Sequence, residues 1–144
     1  MAEFPHRYAV TARGGPIGTI PTTTPGVSPL VTNPPPQFGG PEGFWSPETM
    51  LTGAVANCFI LTFRALSRSA GLEWTLLDVD VDGALDKTAD GLRFTRFRVN
   101  ANLRISNETD EGRAQELLEK AEKQCLITAS LNGEIELETR VGMA

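Results

Sequence analysis

Two sulfur atoms carry the most reactive side-chain chemistry in this chain of 144 residues, because Cys58 and Cys125 are its only cysteines. A thiolate is a nucleophile, and two thiols that meet can cycle between dithiol and disulfide. Residue type alone leaves two readings open. The pair could be redox-active, or it could be two inert thiols, since free cysteine is among the most buried residue types. Other chemistry is thin. His6 is the single histidine, and no Cys-His dyad lies near it in sequence. A zinc site would need carboxylates to complete one His and two Cys. Asp78-Val79-Asp80-Val81-Asp82-Gly83 matches the start of a calcium loop, but Ala89 stands where that loop needs a bidentate Glu. The intervening valines fit a solvated acidic strand better. Gly14-Gly15-Pro16-Ile17-Gly18 lacks the Lys-Ser/Thr of a phosphate loop and reads as a turn.

The elements that must position the two thiols are legible from periodicity. Ser46-Pro47-Glu48 opens a helix, with Ser46 as N-cap, Pro47 at the first helical position and Glu48 in the first turn. It runs to about Ala70, with Gly71 as C-cap. Apolar residues and Cys58 wrap most of its circumference, which predicts a helix buried on several sides and partly covered by a second copy of the chain. Leu77, Val79, Val81 and Leu85 alternate with Asp78, Asp80, Asp82 and Asp86. Phe97, Val99, Ala101, Leu103 and Ile105 alternate with Arg96, Arg98, Asn100, Asn102 and Arg104. Both runs predict strands with one wet face, joined as a hairpin at Asp90-Gly91, with acidic and basic residues opposed. A second helix is expected over 110–124, its apolar face Ala114, Leu117, Leu118 and Ala121 extended by Cys125. A last strand is expected over 134–141, with Ile135, Leu137 and Val141 inward.

Residues 1–46 are rich in Pro, Gly and Thr, and eight of the ten prolines lie between Pro16 and Pro41. Arg7–Ala12, Ile17–Thr23 and Val27–Thr32 predict three short strands, followed by an ordered loop over 33–44. Asn107-Glu108-Thr109 reads as a helix start. The order is strands, helix, hairpin, helix, strand, which defines an α+β domain, expected as a single domain over 1–144.

Net charge is −5, with 40% hydrophobic and 22% charged residues. That balance argues against nucleic acid as a partner and against docking on an anionic membrane. The apolar stretch from Met50 to Leu66 contains Asn57 and Arg64 and reads as too short and too polar for a membrane span. Met1-Ala2-Glu3-Phe4-Pro5 shows no apolar secretory core, so a reducing cytoplasmic setting is expected, where cysteines are rarely structural staples.

Phe38-Gly39-Gly40-Pro41-Glu42-Gly43-Phe44-Trp45-Ser46-Pro47-Glu48, followed by Ala56-Asn57-Cys58-Phe59, resembles the OsmC/Ohr family. Ala121-Glu122-Lys123-Gln124-Cys125 followed by Ser130-Leu131-Asn132-Gly133 looks like that family's second cysteine block. The likeness covers about residues 6 to 141. It implies an OsmC-like fold in an intertwined homodimer, and a thiol peroxidase that reduces organic hydroperoxides and hydrogen peroxide in oxidative stress defence. Cys58 matches the peroxidatic cysteine and Cys125 the resolving one. Glu48 matches the acidic residue that orients an arginine against the thiolate. No metal, flavin or other cofactor is implied; the reductant is an external dithiol of lipoyl type. The chain departs from the family pattern in two places. Its active arginine follows a Gly-Gly pair, where this chain has Pro16 after Gly14-Gly15, so that Arg13 is the nearest cation and Arg7 the next. Leu126 follows Cys125 where many members have Pro. The alternative implied by the resemblance is an OsmC-fold dimer that binds a small apolar ligand or acts on another thiol substrate.

Overall fold

A computed structural model describes residues 3–144. The chain divides into two compact units, one ending at Met50 and one comprising Leu51–Ala144. The first holds a three-stranded antiparallel sheet of β1 (Thr11–Ala12), β2 (Ile20–Thr23) and β3 (Leu30–Thr32), in that spatial order. Only the end of the expected first strand pairs. Thr11 lies opposite Thr23, so continuing the ladder would set Ala9 against Pro25, which has no N–H to give. The Thr24 hydroxyl donates to the Ala9 carbonyl at 2.9 Å instead. The Pro-rich loop is ordered, as expected. The Asn33 N–H donates to the Trp45 carbonyl at 3.0 Å, and the Gly40 N–H to the Pro35 carbonyl at 3.1 Å. Residue 40 must be glycine, because a Cβ there would overlap the Pro34 carbonyl.

Helix α1 (Pro47–Ala70) begins and ends where its capping residues predict. The Thr49 N–H donates to Ser46 Oγ at 3.1 Å, and the Ser46 N–H donates to Thr49 Oγ1 at 2.8 Å, a reciprocal cap in which threonine takes the place of the usual Glu or Gln. At the other end Gly71 has φ +68°, with the Gly71 N–H on the Arg68 carbonyl and the Leu72 N–H on the Ser67 carbonyl. That bond pair is a Schellman motif, and its left-handed residue explains the glycine. The burial of α1 differs from expectation. Within the chain its buried residues are Val55, Phe59, Phe63 and Ser67, one stripe at i, i+4 spacing. The rest of the circumference is half-buried or exposed. At 24 residues α1 is also long and apolar enough to cross a bilayer, so the sequence estimate made from Met50–Leu66 was too short. The hydroxyl of Ser67 within the stripe is satisfied: it accepts from Trp74 Nε1 at 2.8 Å.

The second unit contains a sheet of order β4-β5-β6, from β4 (Trp74–Thr88), β5 (Gly91–Ile105) and β6 (Glu134–Met143). β4 and β5 form the expected antiparallel hairpin, with Leu77 opposite Leu103 and Val81 opposite Val99. Gly91, at φ +100°, makes the turn. β6 runs parallel to β5, Phe97 beside Ile135 and Leu103 beside Val141. Such pairing needs a crossover, here α2 (Glu111–Gln124) and the single turn α3 (Leu126–Ala129). The inward residues of β5, the stripe of α1 and Ala114, Leu117, Leu118 and Ala121 of α2 share one core cluster. Asp78, Asp80 and Asp82 lie in an extended strand rather than a loop, which removes the calcium reading. The opposed-charge expectation holds in part. Asp82 faces Arg98 and Asp86 faces Arg93, but Asp80 and Asp78 face Asn100 and Asn102. Arg96 and Arg98 instead reach Glu136 of β6, at 3.4 and 3.5 Å, because the parallel register sets Glu136 beside Arg98. Exposed pairs of this kind contribute about 0–1 kcal/mol.

Candidate thiol site

The fold brings Cys58 and Cys125 together. Cys58 lies at the middle of α1, one position before buried Phe59, and is half-buried. Cys125 stands just beyond the last turn of α2, with an extended backbone (φ −65°, ψ 111°), and only 1% of its surface is exposed. It does not continue the helical face of α2, as its spacing suggested; the chain leaves the helix at this residue and re-enters a turn at Leu126. Three hydrogen bonds pin its backbone. Its N–H donates to the Glu122 carbonyl, and its carbonyl accepts from the Ala129 N–H at 3.0 Å and the Thr128 hydroxyl at 3.1 Å.

The groups that lower the Cys58 thiol are the backbones of Ile127 and Leu126, the Cys125 thiol and the Thr62 hydroxyl. The Thr62 oxygen is 3.8 Å from the sulfur, one helical turn further along α1. None of the four is a cation. Burial pushes the Cys58 thiol up, but these groups together outweigh it and leave the thiol below its ordinary value. Cys125 moves the other way. Burial raises it most; the Thr128 N–H pulls down; the hydrogen bond to Cys58 and the repulsion of a charged Cys58 push it up again. The two directions order the pair: the Cys58 thiol is shifted down and the Cys125 thiol up.

Glu48 occupies the first turn of α1 and is half-buried. Arg13 follows β1 in the first unit, exposed, with its N–H on the Pro21 carbonyl at 3.2 Å. His6 stacks on Phe4, their ring centroids 4.3 Å apart. Among the described residues no group of three or more His, Cys, Asp or Glu side chains is arranged to hold a metal ion. Sequence reasoning missed Thr62 and the amides of Leu126 and Ile127. Thr62 was findable, because it stands at i+4 from Cys58 on the same helix. The amides carried no side-chain signal.

The fold is an α+β one in which the parallel strands β5 and β6 are joined through α2 and α3. The profile of the family described as OsmC-like protein matches residues 39–140, and the chain belongs to that family. An uncharacterized protein of Bacillus subtilis (strain 168), YmaD, is 28% identical over 107 residues, covering 72% of this chain and 71% of its own. An OsmC-like protein of unknown function from Vibrio cholerae superposes with a TM-score of 0.86 at 14% identity, covering 94% of this chain and 99% of that one. An organic hydroperoxide resistance protein from Elizabethkingia anophelis, solved with thiocyanate bound, superposes with a TM-score of 0.77 at 20% identity, covering 99% and 100%. The fold is therefore OsmC-like, as the sequence resemblance implied.

Proposed function

We propose that this protein is a thiol peroxidase for organic hydroperoxides and hydrogen peroxide, working in the cytoplasm in oxidative stress defence, with residues 1–144 acting as one functional domain. What supports this reading is the placement of Cys125 beside Cys58, with the Cys58 thiol shifted down and the Cys125 thiol shifted up. A peroxidatic cysteine must be a thiolate at neutral pH, and a resolving cysteine must lie within bonding reach of it. The Cys58 thiolate attacks the distal oxygen of ROOH. An S–O bond forms, the O–O bond breaks, and RO⁻ takes a proton and leaves as ROH. The peroxide is reduced by two electrons and Cys58 becomes a sulfenic acid. The Cys125 sulfur then attacks the Cys58 sulfur. The S–S bond forms, the S–O bond breaks, and hydroxide leaves as water with the Cys125 proton. An external dithiol of lipoyl type restores the pair by exchange. The chemistry needs no metal or cofactor. Steady-state turnover of cumene hydroperoxide with dihydrolipoamide is the test. Turnover supports the reading; a native protein that oxidises to the disulfide yet never turns over peroxide overturns it in favour of another thiol substrate.

The working unit is a homodimer, and its sites are shared. Leu61 on α1 is 56% exposed, in a helix whose buried stripe covers one face only. A second copy of α1 crossing antiparallel near Gly53 would bring Glu48 of the partner subunit toward Cys58, and glycine at the crossing permits close backbone approach. Within one straight helix residues 48 and 58 are separated by about 15 Å along the axis, so they act across the two-fold rather than within a chain. Heterodimers isolated after mixing Glu48→Ala and Cys58→Ser subunits should recover activity toward half of wild type, since each holds one intact site. Confirmed exchange with no recovery removes the shared site.

A further inference from the structure

The chain has six asparagines, and five of them are held in place or denied a nucleophile. Asn33 is buried and precedes Pro34, whose ring nitrogen carries no hydrogen. Asn57 lies within α1, and its side-chain amide donates to the Gly53 carbonyl at 2.7 Å. Asn100 and Asn102 lie in β5, paired with β4 on one side and β6 on the other. The Asn107 side chain accepts from the Thr109 N–H at 3.0 Å and from the Thr109 hydroxyl at 2.9 Å. Asn132 differs on every count. It is exposed, belongs to no helix or strand, and its side chain has no hydrogen-bond partner among the described residues. The next residue is Gly133, whose N–H has no backbone acceptor among the described residues. Both flanks of this dipeptide are anchored. Leu131 packs against the core and its N–H donates to the Thr128 carbonyl at 3.1 Å, while Glu134 begins β6 beside Arg96.

We propose that Asn132-Gly133 is a self-modifying site at the entrance to β6, where the folded protein converts Asn132 to aspartate and isoaspartate. The backbone nitrogen of Gly133 attacks the side-chain carbonyl carbon of Asn132. A C–N bond forms, the bond to the side-chain amide nitrogen breaks, and that nitrogen leaves as ammonia with the Gly133 proton. Water then opens the resulting cyclic imide. Opening at the side-chain carbonyl gives aspartate. Opening at the backbone carbonyl gives isoaspartate, in which the main chain runs through the former side chain. In sum an amide and a water become a carboxylate and ammonium, with no change of oxidation state. Glycine favours the attack because no Cβ stands beside the nitrogen. The fold uses the same absence: a Cβ at 133 would come within 3.3 Å of the Phe94 carbonyl oxygen. The close seat of β6 against β5 thus begins at the residue that opens Asn132 to attack. The product places a carboxylate two positions before Glu134, in a chain already at −5. Isoaspartate in addition lengthens the main chain between two anchored residues.

The test is peptide mapping of the full chain held warm at mildly alkaline pH, which promotes loss of the Gly133 proton. The tryptic peptide spanning residues 124–140 should gain the mass difference between amide and acid and split into aspartyl and isoaspartyl forms. An isoaspartyl methyltransferase with labelled S-adenosylmethionine identifies the second. Peptides carrying the other asparagines should stay unchanged, and Asn132→Gln should remove the reaction. The rate in the folded protein should lie within about tenfold of the rate in the urea-unfolded chain, because a site already open needs no local unfolding. A larger slowing on folding overturns the proposal, as does conversion spread evenly over the asparagines. For the consequence at β6, Asn132→Asp should unfold in urea like the parent protein, whereas the purified isoaspartyl form should unfold at lower urea. An isoaspartyl form as stable as Asn132→Asp removes the link to the seat of β6.

Discussion

The two long helices of this protein bury their apolar residues differently, and the difference separates what one chain settles alone from what it leaves open. In α2 the apolar face is closed. Ala114, Leu117, Leu118 and Ala121 are all buried, and the opposite face is charged and wet. In α1 apolar residues run round the helix, but the chain buries only the stripe from Val55 to Ser67 and leaves Leu61 in solvent. One cysteine lies on α1 and the other just beyond α2. Cys125 is buried and its thiol is shifted up; Cys58 is half-buried and its thiol is shifted down. Cys58 therefore sits on the helix whose packing one chain leaves unfinished, and Cys125 on a segment that one chain buries.

The largest test of that contrast is chemical. Cys58→Ser should abolish peroxide turnover, while Cys125→Ser should still form one equivalent of sulfenic acid per chain, counted with a sulfenic-acid trap. Equal residual turnover in the two variants would erase the division of roles. Packing supplies the next test. Phe63→Ala removes a fully buried ring from the α1 stripe and should cost about 3–5 kcal/mol in urea unfolding, whereas Leu61→Ala should cost little in the fold of a single chain. Because Leu61 is assigned to the dimer face, Leu61→Asp should shift sedimentation toward monomer with the fold intact. A dimer unaffected by that charge would place the contact elsewhere. The smallest expected effect concerns Arg13. If it lends charge to the site, Arg13→Ala should raise the pH midpoint of Cys58 alkylation, since a nearby cation favours the thiolate. In the unmodified protein alkylation should reach Cys58 at lower pH than Cys125, because one thiol is shifted down and the other up.

The helices and hairpin were legible because their signals are local. Ser46, Pro47 and Gly71 mark the limits of α1 through caps made within a few residues, and alternation marks β4 and β5. The thiol pair was legible through the family resemblance, while residue type left it open. What the sequence did not disclose follows from partners remote in the chain or from the backbone itself. The parallel seat of β6, which draws Arg96 and Arg98 to Glu136 rather than to the aspartates of β4, depends on a crossover that alternation does not encode. α3 is a single turn, too short for a period to show. The Thr62 hydroxyl beside Cys58 was legible from its i+4 spacing, whereas the backbone groups of Leu126 and Ile127 carry no side-chain signal.

The parallel seat of β6 beside β5 also sets an order of events in folding. The hairpin closes over neighbouring residues, whereas β6 pairs only after the crossover through α2 and α3 has folded back, and such distant pairings form slowly. Cys125 rides on that crossover, and Cys58 waits on a helix made much earlier in the chain. A chain emerging from synthesis thus exposes its first thiol long before the second can reach it. Cys125 can meet Cys58 only once that crossover has folded back.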